Sequence, residues 1–307
     1  LDACPIVPIE QVDSTVEPQE FPKVHRTSIT PPVCVPVLGM HRSGTSMVTR
    51  LLNLLGVELG EGLLGVDTPA HPSNPTGHWE SSLVVKINET AMRRAAALET
   101  PTEWTIPMRL GGRHVADDIQ GGMDMVIARL AVHERFGFKD PRTTVALEAW
   151  WRHLPQPASL LVVRDPIAVA RSLERRDGIP LLDGVRIWAA YNRIALASIE
   201  SLSAPCLVVR YADAVMDVEK TLSRIACFLS CTGEALSNAR DDARRFVNPD
   251  LNHGSLDPRP LPERLDDLGK AHWCTGERDA VVKLWEHLRH EARKSDPASS
   301  EHVSHTR

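Results

Sequence analysis

Residues 39–46 read Gly-Met-His-Arg-Ser-Gly-Thr-Ser and follow the apolar run VCVPVL of residues 33–38. These residue types suit an anion. Gly39 and Gly44 accept backbone angles that a Cβ resists. An amphipathic pattern begins at Thr45, and the N–H groups that open a helix are unpaired and carry partial positive charge. Ser43, Thr45 and Ser46 add hydroxyl donors, Arg42 is the strong cation of the turn, and His41 beside it shapes the loop or touches the ligand. A nucleotide-hydrolase P-loop places Lys directly after its second Gly, where it reaches the β- and γ-phosphates. Here Thr45 holds that place and the cation precedes Gly44. That displacement argues against Mg-ATP chemistry.

Three further stretches carry candidate chemistry. In SLLVVRDPIAVARSL (159–173) an apolar run ends at Arg164, Asp165-Pro166 opens a helix, and Ser172 lies on that helix. Pro suits a first helical turn, and a guanidinium offers a planar fork to phosphate oxygens. In FGFKDPRTT (136–144) Lys139 closes an apolar run, and Arg142 is placed to meet a substrate or to pair with Asp140. In NPTGHWESS (74–82) Glu80 precedes a helical pattern and His78 lies two residues before it. Either side chain has the chemistry of a general base, and the ring of Trp79 would shield the carboxylate from water. Weaker candidates are His253 and Arg259 in NPDLNHGSLDPRP (248–260), for contact with a nucleotide, and Trp104, for lining a pocket or for packing.

The turn GMHRSGTS resembles the 5′-phosphosulfate loop of sulfotransferases that use 3′-phosphoadenosine 5′-phosphosulfate (PAPS), where Lys or Arg stands just before Ser-Gly-Thr. Its Arg form is similar to the tyrosylprotein sulfotransferases and many bacterial members. The same family grips the 3′-phosphate with an Arg at a strand end and a Ser eight residues later, which matches Arg164 and Ser172. The resemblance implies that Gly39, His41, Ser43, Gly44, Thr45 and Ser46 hold the 5′ end and that Arg42 steadies the leaving oxygen. It implies Arg164, Ser172 and His253 at the 3′-phosphate or adenine. Glu80 resembles the family's Trp-Glu or Gly-Glu base, with His78 as the other candidate, and Lys139 resembles the Lys of its Lys-Asp-Pro segment, which stabilises the transferring group. RYADAV (210–215) resembles the family's Tyr-Glu-Asp stretch with Ala212 in place of Glu, and Tyr211 and Asp213 are read as structural. The implied reaction moves a sulfuryl group from PAPS to an acceptor hydroxyl on a glycan, lipid, peptide or natural product. It releases 3′,5′-ADP by in-line displacement and needs no metal. Two other readings share the turn: a P-loop kinase or NTPase, and a non-catalytic nucleotide-binding module.

The elements that must position these residues are legible as alternating patterns. VCVPVL, RFGFK (135–139), SLLVVR (159–164) and PCLVVR (205–210) read as buried strands. Helical periodicity covers about 45–55, 82–97, 121–133, 143–152, 167–175, 184–202, 217–229, 233–246 and 277–291. This alternation predicts a P-loop-like three-layer α/β/α domain with a central parallel sheet, whose ligands lie beyond the carboxyl ends of the strands. The expected organisation is a Pro-rich tail or linker over 1–31, one domain over 32–292 and a disordered tail over 293–307. The start at Leu1 leaves room for a larger multidomain chain.

The formal net charge of −5 argues against a nucleic-acid partner. No apolar window is long enough to span a bilayer. The six cysteines form no C-x-x-C pair, and Cys227 and Cys231, four apart, lack companions for a metal. A reducing, cytoplasmic setting is therefore expected.

Overall fold

The computed structural model describes residues 33–70, 74–95, 115–247, 257–269 and 273–294. The tail expected over 1–31 and residues 295–307 of the other, together with His253 and Trp104, lie outside these residues, while Arg293 and Lys294 continue the last helix. Strands β1 (Val33–Leu38), β2 (Arg135–Lys139), β3 (Ser159–Val163) and β4 (Cys206–Arg210) form one sheet in the order β2-β1-β3-β4. Every pairing is parallel. The eleven described helices are α1 (Thr45–Leu54), α2 (Ser82–Ala95), α3 (Asp117–Leu130), α4 (Thr143–Trp151), α5 (Pro166–Asp177), α6 (Leu181–Ser201), α7 (Tyr211–Met216), α8 (Val218–Phe228), α9 (Gly233–Phe246), α10 (Leu261–Asp266) and α11 (Glu277–Lys294). The architecture is the P-loop-like α/β/α sandwich.

Period-two alternation along the strands sorts their side chains between two helical layers. Val35, Val37, Leu160, Val162, Leu207 and Val209 pack with Val48, Leu51 and Leu52 of α1, Ile225 of α8 and Ala239 of α9. Leu38, Leu161, Val163 and Val208 point the other way, onto Leu173 of α5, Trp188 of α6 and Leu284 and Leu288 of α11. At the β2 edge, Cys34, Phe136 and Phe138 meet Ile87 of α2, Met123 of α3 and Trp150 of α4. Both faces being covered explains why the strands read as continuous apolar runs.

Local signals set the helix that follows β3. The Asp165 carboxylate accepts from the N–H groups of Ile167 (3.1 Å) and Ala168 (3.0 Å), with Pro166 in the first turn. Gly178 ends the helix in the left-handed region. Four elements depart most from expectation, the first being α7, a helix over Tyr211–Met216 where none was expected. α3 begins at Asp117, four residues early, because two acidic residues favour its first turn and the Gly121-Gly122 pair is carried inside it. α6 starts at Leu181, directly after Pro180, and α10 is a six-residue helix too short to show periodicity. No helix among the described residues is long and apolar enough to cross a membrane.

Candidate active site

The strands end together, and each delivers one piece of the site at its carboxyl edge. After β1, Gly39 adopts φ 136°, and a Cβ there would lie 2.5 Å from the Val162 carbonyl oxygen of β3. Only Gly lets the loop leave the sheet so close to its neighbour. The Gly39 N–H donates to Thr144 Oγ1 at 2.8 Å, which pins the loop to α4. Arg42 is held at φ 66°, the kind of backbone strain that surrounding structure must maintain, and Gly44 stands at φ 93°, which Gly adopts freely. Gly44 caps α1 without any side-chain hydrogen bond, so no side chain competes for the helix start. Ser43 is fully buried, and its hydroxyl has no hydrogen-bond partner among the described residues. A buried polar atom of that kind calls for a ligand or water, and an anion oxygen at the helix start would satisfy it.

Arg42 turns away from the loop and donates from Nε to Ser172 Oγ on α5 at 2.9 Å. Arg164, at the end of β3, donates from Nη1 to the Arg42 carbonyl at 3.1 Å. Its guanidinium lies over the ring of Tyr211, 4.3 Å from the centroid. Burial, then the positive charges of Arg176 and Arg164, pull Arg42 below the usual guanidinium range. Burial does the same to Arg164. These residues make a desolvated, positive corner that an anion would relieve. Asp165, next in sequence, is engaged by the α5 cap and by Arg264 at 2.7 Å.

The third piece centres on Lys139, which ends β2 and is 2% exposed. Its ammonium donates to Glu80 Oε1 at 2.5 Å, to the His78 carbonyl at 2.9 Å and to Ser46 Oγ at 3.2 Å. That accounts for all three protons. Glu80 and Lys139 are thus a buried ion pair that touches the anion loop through Ser46. His78 meets the cluster through its backbone. Trp79 stands at φ 59° between them, its indole N–H on the Thr76 carbonyl and its ring against Arg50. Asn74 ties the same segment to the loop, donating to Ser46 Oγ (3.3 Å) and to the Gly77 carbonyl (2.8 Å).

Beneath the pair lies a polar cluster that sequence reasoning missed. Asn88 of α2 is wholly buried. Its amide donates to Asp140 Oδ2 and Thr143 Oγ1, both at 2.9 Å, and accepts from Trp150 Nε1 at 2.8 Å. It clamps the helix that follows Glu80 to the turn that follows Lys139. Asp140 also accepts from the N–H and guanidinium of Arg142, whose other arm pairs with Glu89 at 3.0 Å. Of the two expected roles for Arg142, the structure shows the ion pair with Asp140. Burial pushes the Asp140 carboxyl up to about 6 against the pull of Arg142. His41 packs edge-on to Tyr191. Burial, followed by the charges of Arg142, Arg176, Lys139 and Arg42, holds it well below the ordinary imidazole range, so it is neutral in the loop.

The structure therefore brings Gly39, His41, Arg42, Ser43, Gly44, Thr45, Ser46, Glu80, Lys139, Arg164 and Ser172 to one crevice. Tyr211, read as structural, joins them, as do Asn74, Thr144 and Asn88, to which no role was assigned, because only strand register and helix packing put them there. No group of three or more His, Cys, Asp or Glu side chains suited to a metal occurs among the described residues, and Cys227 and Cys231 are free thiols.

Among solved structures, the sulfotransferase domain of the Synechococcus PCC 7002 olefin synthase is similar at 20% identity and a TM-score of 0.47, with 87% of this chain and 98% of that chain covered. Sulfotransferase STF9 from Mycobacterium avium is similar at 16% identity and a TM-score of 0.45, with 86% and 77% covered. A retinol dehydratase solved with androsterone and the inactive cofactor PAP is similar at 12% identity and a TM-score of 0.32, with 85% and 80% covered. No curated protein matches the chain in sequence. The profile of the Sulfotransferase family, however, matches residues 34–234, well over half of the chain and the whole of the crevice described above. The chain belongs to the sulfotransferase family.

Proposed function

We propose that this sulfotransferase uses PAPS as donor and an alcohol or phenol as acceptor, with residues 32–292 as the working unit. The observation that carries the reading is the Arg42 side chain bonded to Ser172, with Arg164 on the Arg42 carbonyl. It joins an uncapped helix start to a second buried cationic corner. A nucleotide with separate 5′ and 3′ anionic groups suits two such sites better than a linear triphosphate does.

In this reading the N–H groups of residues 43–46 and the Ser43 hydroxyl hold the 5′-phosphate, and Arg164 and Ser172 hold the 3′-phosphate. Glu80 accepts the proton of the acceptor hydroxyl as its oxygen bonds to sulfur. The α1 N-terminus, with Arg42 once its guanidinium swings from Ser172 to the 5′ end, stabilises the phosphate oxygen from which the sulfur departs, and 3′,5′-ADP leaves. Lys139 neutralises charge on the sulfuryl oxygens. Its longest bond, to Ser46, is the one that yields as they arrive. Lys139 holds Glu80 by its carboxylate and His78 by its carbonyl, which favours Glu80 as the base. Every charge in the step is met by protein groups.

The test is Glu80→Gln assayed with radiolabelled PAPS against a panel of phenols, sugars and tyrosyl peptides. Loss of a general base lowers kcat by about 10²–10⁴ while 3′,5′-ADP binding persists. Unchanged turnover would remove Glu80 from the mechanism. A wild-type protein that binds 3′,5′-ADP yet transfers to none of these would favour a binding module.

A further inference from the structure

Asn74 joins the segment that carries Glu80 to the loop that opens α1, and it does so through one hydroxyl. Its Nδ2 donates to the Gly77 carbonyl at 2.8 Å and to Ser46 Oγ at 3.3 Å. A carbonyl oxygen only accepts, so the Gly77 contact fixes which end of the amide faces Ser46. The other end is engaged as well, Oδ1 accepting from Thr76 Oγ1 at 3.2 Å. From the opposite side the Lys139 ammonium, which can only donate, reaches the same Ser46 oxygen at 3.2 Å. A hydroxyl accepts at two lone pairs and donates one proton. Asn74 and Lys139 fill both accepting positions of Ser46, so its proton is left for a third partner. Ser46 is the second residue of α1, among the N–H groups that suit an anion.

We infer that Asn74 is a positioning residue that sets the polarity of the Ser46 hydroxyl, presenting its proton to the 5′-phosphate, and ties the Glu80 segment to the donor loop. It acts through Ser46 and not on the donor itself. Alanine at this position leaves the Ser46 proton available to the ligand. Aspartate has nearly the shape of asparagine but only accepts. It would draw the Ser46 proton to itself and leave the Gly77 carbonyl without its donor. The near-isosteric change is therefore the harmful one, the reverse of what a packing role would give. The inference rests on the PAPS reading, and the two fail differently.

The experiment is calorimetric titration of the full chain with 3′,5′-ADP and with adenosine 3′-phosphate, for wild type, Asn74→Ala, Asn74→Asp, Ser46→Ala and the Ser46→Ala/Asn74→Asp double variant. The quantity read is the ratio of the two affinities in each protein. It isolates the 5′-phosphate, and a general loss of stability does not move it. Wild type prefers 3′,5′-ADP, and Asn74→Ala keeps that ratio within about threefold. Asn74→Asp and Ser46→Ala each lower it by about tenfold, the scale of a hydrogen bond to a charged group. The double variant separates hydroxyl polarity from charge repulsion: with Ser46 already replaced, Asn74→Asp lowers the ratio by no more than about threefold. An unchanged ratio in Asn74→Asp overturns the inference, and so does an equal loss in Asn74→Ala. A full loss retained in the Ser46→Ala background also overturns it, because repulsion alone would then account for the effect. If Asn74→Asp does not fold, Ser46→Ala decides, and an unchanged ratio there overturns the inference. A wild type with no preference overturns the PAPS reading itself.

Discussion

The Lys139–Glu80 pair lends itself to a double-mutant cycle that separates chemistry from stability. The perturbation is Lys139→Met, which keeps the stem and removes the charge. Lys139 is 2% exposed and the Glu80 side chain 12%, so the variant strands a desolvated carboxylate. Breaking one side of a buried pair costs about 3–5 kcal/mol. The His78 carbonyl also loses its donor, a further cost of about 1 kcal/mol. For a domain of this size the sum is a drop in Tm on the order of 10 °C. Adding Glu80→Met removes the stranded charge, and a buried pair replaced by apolar residues of similar volume is about neutral. The double variant should recover to within about 2 kcal/mol of wild type, the residue being the unmet His78 carbonyl. Denaturant unfolding measures all four corners, and sulfuryl transfer from PAPS is assayed on each. The expected result is recovered stability with no recovered turnover. A double variant no more stable than Lys139→Met, or one that transfers sulfuryl groups, would refute the argument that the pair is kept for chemistry.

Two other outcomes follow from the same geometry. Asn88→Ala leaves Trp150 Nε1, Thr143 Oγ1 and one Asp140 oxygen without their partner, so urea unfolding should show a loss of about 3–5 kcal/mol. Its kcat should fall further than its 3′,5′-ADP affinity, because α2 carries the approach to Glu80 and not the anion loop. His41 is held neutral by burial and by the cations around it. Below pH 6.5 the unfolded chain takes up a proton that the folded chain resists, so this group's contribution is intact above 6.5 and is lost as the pH falls below it. Asp140, raised to about 6, acts in the opposite sense, since the folded state favours its protonated form as the pH drops from 6 toward 4. Unfolding midpoints measured from pH 7.5 down to 5 should therefore fall less steeply in His41→Gln than in wild type, and identical slopes would show that His41 is not the acid-sensitive group.

The strands were readable because β1, β3 and β4 are buried on both faces and carry polar residues only at their ends, Ser159 and Arg210. The anion loop was readable because Gly39 and Gly44, with three hydroxyl residues, stand where a strand passes into a helix. What stayed hidden depends on distance in sequence. Arg42 and Ser172 are 130 residues apart, and nothing in their own surroundings predicts their contact; a family resemblance suggested a shared ligand but not the bond. Asn88 lies mid-helix in an ordinary amphipathic pattern, and only the packing of α2 on α4 reveals that it is fully satisfied and buried. Tyr211 was read as structural, in a stretch that departs from the family pattern at Ala212. Its contacts arise from the β3–β4 register, which single-sequence periodicity does not report.

The central claim is that the crevice binds one nucleotide through two separate anionic groups. Thermal unfolding with 3′,5′-ADP, 5′-AMP and Mg-ATP, each with and without EDTA, tests it most directly. At 100 times its dissociation constant a ligand adds about 2.7 kcal/mol, several degrees for a domain of this size. The account predicts that shift with 3′,5′-ADP, unchanged by EDTA, and little at the same concentration of 5′-AMP. A shift confined to Mg-ATP and abolished by EDTA would contradict it.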